Sequence, residues 1–419
     1  MGMFRVLKFA KYLPHFGWEP VVLTVGNASC NKLDWTGLAE VQDISVVRTY
    51  QLEPSIRRVF KGKKDFEEAL SYLWQEGKDR HGESLAKKWK NWIIHNLLIP
   101  DANVGWLPFG VWRAVEICKT EKIDVLFSTA PPLTASVIGL VTRRITGVPW
   151  ITDFRDPWSL APQFNPYAGA FKKAADRWVE NQIYNHADRC IFVYEDQIRE
   201  TVRKFSGLSA DRCVLIPNGF DSEDFDYSIP VDSSCLRITY AGRLALDRSL
   251  DFFLKCIAEV LEAMPELQDI LKLEFAGEID RHNRRLLSEF KFPQTIHMHG
   301  ILPVKSCNKL LCSSSLLLAI VGSDENRYGS TSSKILNYIG SGRPILLVSP
   351  PGEAAAFVTG NKLGFHLNTQ DPSAAKRLRE VLESGFYSFV PNDTLRKSYN
   401  RKVHTGKLAR ELDALVERT

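Results

Sequence analysis

Late in the chain, Ser332-Ser333-Lys334-Ile335-Leu336-Asn337-Tyr338-Ile339-Gly340 is followed closely by Pro344-Ile345-Leu346-Leu347-Val348. The first stretch reads as a short helix, Ile335–Gly340, opened by small hydroxyl residues. The second is a continuous apolar run with no polar face. A strand of that kind is buried on both sides, which happens in a parallel sheet covered by helices. The same alternation of short apolar runs and longer amphipathic stretches extends through the chain. Strands are predicted at Pro20–Val25, Ile44–Tyr50, Asp124–Ser128, Pro149–Asp153, Arg189–Val193 and Val214–Pro217. A second set falls at Leu236–Ala241, Leu271–Ala276, Ile296–His299, Leu316–Val321, Pro344–Val348 and Gly364–Leu367.

Asn218–Ser234 separates the two sets, is rich in Asp, Ser and Pro, and lacks helical period, so it reads as a linker. The expectation is an α/β protein of two doubly wound, Rossmann-like domains, 1–228 and 229–419. Such sheets take ligands at the carboxyl ends of their strands, which puts the expected site in a cleft between the domains. The closing stretch Asp393–Glu417 has helical spacing and is expected to pack back toward the first domain. A doubly wound domain opens with a strand, whereas this sequence is helical at once over Phe4–Leu13. The first domain is therefore expected to lack its first strand, through a start that lies upstream or a sheet that omits it.

Composition narrows the classes. With 419 residues, 44% hydrophobic and 25% charged, the chain exceeds one ordinary core and is neither disordered nor fibrous. No apolar run reaches the roughly 20 residues that span a bilayer. The best candidate, Leu310 to Val321, is broken by serines and reads as a helix end before a buried strand. The start lacks a secretory pattern, and a cytoplasmic protein is expected. The eight cysteines (Cys30, Cys118, Cys190, Cys213, Cys235, Cys256, Cys307, Cys312) form no CxxC pair or Cys/His cluster, so reduced, mostly buried thiols are expected. A net charge of +5 is too mild for a nucleic-acid binder, yet suits contact with phosphates or an anionic membrane.

Several segments in order resemble glycosyltransferase family 4, of the GT-B fold. Gly2-Met3-Phe4-Arg5 and Gly17-Trp18-Glu19-Pro20-Val21-Val22-Leu23-Thr24 resemble its opening. Ser128-Thr129-Ala130-Pro131-Pro132 and Asp153-Phe154-Arg155-Asp156-Pro157-Trp158 resemble bacterial cell-surface polysaccharide glycosyltransferases. Ile216-Pro217-Asn218-Gly219-Phe220-Asp221, Tyr240-Ala241-Gly242-Arg243-Leu244 and Lys334 through Pro344 complete the pattern. The resemblance runs from residue 2 to about residue 370. It implies transfer of a hexose-type sugar, with retention, from a nucleoside-diphosphate sugar to a cell-surface glycan or its lipid-linked precursor.

Gly242-Arg243 ends a strand, and Arg248 follows near the next helix. Two cations converging on a diphosphate neutralise the charge that grows as the glycosidic bond breaks. The family usually has Lys where this chain has Arg248, and a guanidinium also suits phosphate. The competing reading of Arg248 is a surface residue paired with a carboxylate. Thr331, Ser332, Ser333 and Lys334 open a helix, where free N–H groups and the dipole hold anions, although an ordinary N-cap has the same look. By resemblance this loop holds the donor phosphates. Asn337 stands where the family has a glutamate for the ribose hydroxyls, and Gly329 replaces the glutamate eight residues earlier. An amide bonds a ribose without charge assistance, a loss of ~1 kcal/mol or more.

Gly2, by resemblance, allows backbone approach to the pyrophosphate, while Gly277 and Gly300-Ile301 end strands that face the nucleotide. Asp153 and Asp156, just past a strand, are candidates to orient the acceptor hydroxyl; the alternative is a structural Arg–Asp pair. His15, His299 and His366 read as structural.

Over Leu85–Leu98, the residues Leu85, Trp89, Trp92, Ile93 and Leu97 share one helical stripe, with Lys87, Lys88 and Lys90 off it. Arg57, Arg58, Lys61, Lys63 and Lys64 add charge nearby. A basic helix of this type can rest on an anionic membrane, and it can equally pack its stripe on the core. No DxD-like cluster marks a metal site, so metal-independent chemistry is expected. The rival readings are a nucleotide-sugar epimerase of the same fold and a non-catalytic partner subunit. The loop at Asp153–Trp158 and the basic helix disfavour the first; Gly329, Asn337 and the missing strand favour the second.

Overall fold

Every strand expected from the sequence has a counterpart in the computed structural model, which describes residues 2–26, 35–52, 96, 98–159, 168–231, 234–245, 248–322, 333–385 and 388–417. Two units divide the chain. One comprises Gly2–Pro217 with Thr405–Thr419, the other Asn218–His404.

The first unit runs α1 (Gly2–Tyr12), β1 (Val21–Val25), β2 (Ser45–Thr49), α2 (Leu107–Thr120), β3 (Leu126–Ala130), α3 (Leu133–Thr146), β4 (Trp150–Phe154), α4 (Ala170–His186), β5 (Arg189–Phe192), α5 (Glu195–Lys204) and β6 (Cys213–Leu215). All pairings are parallel, β1 with β2 and then β3-β4-β5-β6 in order. No strand among the described residues joins β1 to β3. Among those residues each is an edge strand of its own sheet.

The second unit holds β7 (Leu236–Ala241), α6 (Asp251–Ala263), β8 (Leu271–Ala276), α7 (Arg281–Ser288), β9 (Ile296–Gly300), α8 (Val304–Cys312), β10 (Leu316–Ile320), α9 (Ser333–Ser341), β11 (Ile345–Ser349), α10 (Glu353–Gly360), β12 (Gly364–Asn368), α11 (Ala374–Glu380) and the first turn of α12 (Arg401–Val416). Its parallel sheet has the order β12-β11-β10-β7-β8-β9. The apolar runs work here as the sequence suggests. Leu316, Leu318 and Ile320 enter one core with Phe253, Ile257 and Leu261 of α6. Leu317, Ala319 and Val321 enter another with Leu311 of α8 and Ile335, Leu336 and Ile339 of α9. Period-two alternation sends successive side chains to opposite cores, so a strand apolar at every position has both faces covered.

The chain passes from the first unit to the second at Pro217/Asn218, before the expected boundary at 228/229. The polar linker belongs to the second unit because two of its aromatics anchor there. Phe220 and Phe225 are buried in the core that contains α9, and Phe220 N–H donates to the Tyr399 carbonyl at 3.1 Å. The expected closing helix is two helices, Asp393–Ser398 and α12. Leu408, Leu412 and Leu415 of α12 pack with Phe9 of α1 and with Ile151, Ile191 and Ile216 of the first sheet.

The buried stripe of α1 is unusual. Arg5, Lys8, Phe9 and Tyr12 recur at helical spacing and are all inaccessible. Each cation has an acid. Lys8 and Lys11 both reach Glu40, at 2.6 and 2.9 Å. Burial alone would raise the Glu40 carboxyl, but hydrogen bonds from the two lysines outweigh it and hold the group below its ordinary range. Arg5 donates twice to Asp153, Nε to Oδ2 at 3.0 Å and Nη2 to Oδ1 at 2.8 Å. It also donates to the carbonyls of Ile216 and Pro217, each at 2.8 Å. One guanidinium thus ties α1 to β4 and to the chain beyond β6.

Removing one partner of a buried pair strands the other charge, at a cost of about 3–5 kcal/mol. Arg5→Met is expected to lose that much stability in urea unfolding of the full chain. The double variant Arg5→Met/Asp153→Leu should recover a large part of it, because no charge is then left unpaired.

Candidate functional site

In the second unit the chain builds β7, β8 and β9 outward in one direction, then returns to lay β10, β11 and β12 on the other side of β7. The reversal lies between β7 and β10, and an open parallel sheet binds ligands at the carboxyl ends beside such a reversal. Among the described residues the two strands pair through Leu316↔Ile238 and Leu317↔Thr239, preceded by Ser315 N–H donating to the Arg237 carbonyl at 2.9 Å. Beyond that, the Tyr338 hydroxyl of α9 fills the parting. It accepts from Ala241 N–H at 2.8 Å and donates to the Leu318 carbonyl at 3.0 Å.

Three glycines stand side by side just beyond this row of strand ends. Gly242 follows β7 with φ +127°, Gly277 follows β8 with φ +130°, and Gly300 ends β9 with φ +64°. Gly242 N–H donates to Ala276 O at 2.8 Å, and Gly277 N–H to Gly300 O at 2.6 Å. A Cβ on Gly277 would lie 2.2 Å from the Gly242 carbonyl oxygen, and one on Gly242 would lie 3.1 Å from Lys334 Cε. Conformation and space together demand glycine at 242 and 277. Their backbone is left bare toward whatever occupies the strand ends.

Lys334, the second residue of α9, places its ammonium 3.7 Å from the centre of the Tyr240 ring and bonds the Tyr240 hydroxyl. That hydroxyl in turn donates to the Arg243 carbonyl at 2.9 Å. Loss of hydration, followed by repulsion from Arg248, pushes the Lys334 ammonium well below its ordinary pKa. The side chain of Arg243 is 55% exposed, with Nε 3.9 Å from Glu278. Arg248 precedes α6, and its carbonyl accepts from Asn283 Nδ2 at 3.1 Å. Asn337 lies one helical turn beyond Lys334 on the partly exposed side of α9, opposite Ile335, Leu336 and Ile339.

The structure thus brings Gly242, Arg243, Arg248, Gly277, Lys334 and Asn337 to one edge of one sheet. Ile301 is exposed just past β9. Thr331, Ser332 and Gly329 lie outside the described residues, as does the side chain of Ser333, and residues 85–95 and 97 of the basic helix lie outside them too. Gly2 is the first residue of α1. Tyr240 and Glu278 also belong to this edge; Tyr240 opens the stretch Tyr240–Leu244 but the resemblance assigns it no role, and Glu278 lies in no motif. The sequence signal for Tyr240 is its place two residues before Gly242, which puts it one pleat back on the same strand face.

In the first unit, Asp153 requires a correction. It lies within β4, which runs on to Phe154, and alternation turns it toward α1. Both oxygens are engaged by Arg5, and Oδ2 also accepts from the Thr129 hydroxyl at 2.8 Å. The side chain is fully buried, out of reach of a hydroxyl arriving from solvent. Asp156 is exposed. Crowding by protein raises its carboxyl, Arg155 opposes the rise, and the Asp153 charge reinforces it. Arg155 donates to the Ala130 carbonyl at 3.2 Å and to that of Pro131, pinning the loop after β4 to the loop after β3.

Glu180 of α4 supports the same loop from beneath. It accepts from Ser159 N–H at 3.3 Å and from the Tyr184 hydroxyl at 2.9 Å. Burial raises its carboxyl from the ordinary 4.5 to about 7, against these hydrogen bonds.

Residues 4–219, about half of the chain, match the sequence profile of the glycosyl transferase 4-like domain. The chain belongs to this family and is a glycosyltransferase of the GT-B fold. None of the curated proteins matches the sequence. Among solved structures, a glycosyltransferase from Rickettsia africae is similar with a TM-score of 0.60 at 12% identity, over 99% of this chain and 95% of its own. Sucrose-phosphate synthase from Thermosynechococcus elongatus has a TM-score of 0.60 at 15% identity, over 98% and 93%. The α,α-trehalose 6-phosphate synthase of Burkholderia multivorans has 0.58 at 11% identity, over 95% and 99%. At these identities the likeness is one of fold. No described helix is long and apolar enough to cross a membrane.

Two outcomes follow from the perturbed groups. Between pH 4.5 and about 7 the folded chain holds a proton on Glu180 that the unfolded chain has released, so this group's contribution to stability falls as pH rises through that window. Glu180→Gln should flatten that part of the stability–pH profile, measured by denaturation at a series of pH values. For Lys334, dehydration of the ammonium opposes its contact with the Tyr240 ring, and the lowered pKa says that dehydration wins. Lys334→Met is therefore expected to raise the urea midpoint at neutral pH, the trade expected of a side chain kept for binding.

Proposed function

We propose that the chain transfers a hexose-type sugar, with retention, from a nucleoside-diphosphate sugar to a cell-surface glycan or its lipid-linked precursor. The observation that carries this reading is Lys334. Its ammonium is held short of water beside the bare backbone of Gly242, with Arg243 and Arg248 close in the chain. A diphosphate restores the solvation that the ammonium lacks and can come close to the backbone at Gly242, where no side chain stands in its way.

In this reading Arg243, Arg248 and Lys334 stabilise the charge that gathers on the leaving phosphate as the glycosidic bond breaks. These cations take the part that a metal plays elsewhere, and metal-independent turnover is expected. By resemblance, Thr331, Ser332 and Ser333 are assigned to the donor phosphates. Asn337 meets the ribose as a neutral partner, while Gly277 and Ile301 approach the base. Gly2 belongs to the same donor reading by resemblance alone. With Asp153 committed to Arg5, orientation of the acceptor hydroxyl falls to Asp156. Its raised carboxyl suits it to accept that proton. A lipid-linked acceptor would keep the enzyme on the inner face of the plasma membrane.

Binding is read as thermal stabilisation by a panel of nucleoside diphosphates and nucleotide sugars. A ligand at 100 times its Kd adds about 2.7 kcal/mol. One nucleotide should stand out, and Lys334→Met should weaken it. With the matching donor, Arg243→Ala should lower acceptor-dependent nucleotide release by about 10²–10³ in kcat. If no nucleotide or nucleotide sugar stabilises the chain, the donor reading fails.

A further inference from the structure

The face of α4 turned away from the first unit's core carries charge of one sign. Of its acids, Asp176 is drawn inward to Lys172 at 2.9 Å, and Glu180 is buried against Ser159 and Tyr184. Lys172 also donates to the Pro100 carbonyl at 2.9 Å. What remains outside is Lys173 and Arg177, with Phe171 at 71% exposure and Trp178 at 63%. Seven residues of α-helix turn through about 700°, so Phe171 and Trp178 stand within about 20° of each other around the axis, one above the other. The end of α3 continues the surface. Arg144 bonds Gln182 of α4 at 2.7 Å, and its neighbour Ile145 is 55% exposed.

Two large aromatics in water are a standing cost unless something covers them. A protein partner would be met by both apolar contact and paired acids. A bilayer surface meets the same arrangement more simply. Aromatic rings settle at the level of the headgroups, while flanking cations face anionic lipid phosphates. We propose that α4, with the end of α3, is the surface by which this chain lies on an anionic membrane. This rests on the lipid-linked acceptor reading for its purpose but not for its evidence. α4 begins beyond the Asp153–Trp158 loop and is braced to it through Glu180 and Ser159. A membrane seated on α4 would therefore present lipid-linked material from a fixed direction to Asp156.

The test is co-sedimentation of the full chain with phosphatidylglycerol vesicles and with phosphatidylcholine vesicles. The chain should sediment with the first and stay largely free of the second. Phe171→Ser/Trp178→Ser and Lys173→Glu/Arg177→Glu should each weaken binding by about tenfold or more. All four positions are exposed, so thermal midpoints and the response to nucleotide should be unchanged. Failure of the unaltered chain to bind phosphatidylglycerol vesicles overturns the proposal, as does wild-type binding by both variants. So does a chain that ignores vesicles but self-associates through this face in sedimentation velocity. Nucleotide stabilisation in the same samples separates the two readings. Vesicle binding without a nucleotide response leaves the surface standing and removes the donor site, and the reverse outcome does the opposite.

Discussion

A parallel strand covered on both faces has only its ends left for chemistry. That constraint governs the second unit. Leu316 to Val321 are divided between two cores with nothing to spare for solvent, and β11 is buried along its whole length. Polar function is thereby confined to the residues that follow each strand. There the helix dipoles, the glycine backbone and the few tolerated cations collect. Gly242 and Gly277 are consecutive expressions of one requirement. Neighbouring strand ends are less than a side chain apart, and the backbone must turn through conformations that a Cβ forbids.

The first unit meets a related problem with charge. Its sheet receives α1 on a face that is partly ionic, and Arg5 satisfies Asp153 together with two backbone carbonyls in one planar fork. A lysine offers no such fork and would leave acceptors unmet. The pair is specific in direction more than it is strong. It accepts one placement of α1 over β4, where an apolar interface would tolerate several. Arg155 and Glu180 extend the same logic to the loop after β4, one from above through carbonyls and the other from below through Ser159.

Much of this was legible in the sequence. The strands were visible because apolar runs bounded by polar turns carry their own length and their own burial. Gly242-Arg243 and Lys334 were visible because they close a strand and open a helix. Asp153 is different. It shares a face of β4 with Ile151, which packs with Phe9 of α1, so its carboxylate is turned into the α1 interface. The partner was equally hidden, since Arg5 lies 148 positions away. The dehydration of Lys334 was also out of reach, as it depends on an aromatic ring supplied by another element. The outward face of α4 is hidden in the sequence because its three bases, Lys172, Lys173 and Arg177, are interspersed with two acids, Asp176 and Glu180. They separate only when wound into a helix with one side buried.

The short pairing between β7 and β10 makes the second unit a mechanical object as well as a scaffold. Its sheet has a seam, with β7-β8-β9 on one side and β10-β11-β12 on the other, crossed among the described residues by two strand pairs, by Ser315 N–H donating to the Arg237 carbonyl at 2.9 Å, by the Thr239 and Ser314 hydroxyls 2.6 Å apart and by the Tyr338 hydroxyl. Cooperative opening follows the lines where backbone hydrogen bonds are sparse. Amides flanking this seam should therefore exchange through smaller fluctuations than those inside either half. Gly242 hangs from one half and Lys334 from the other. A molecule held by both acts as a suture, and part of its affinity becomes resistance of the sheet to parting.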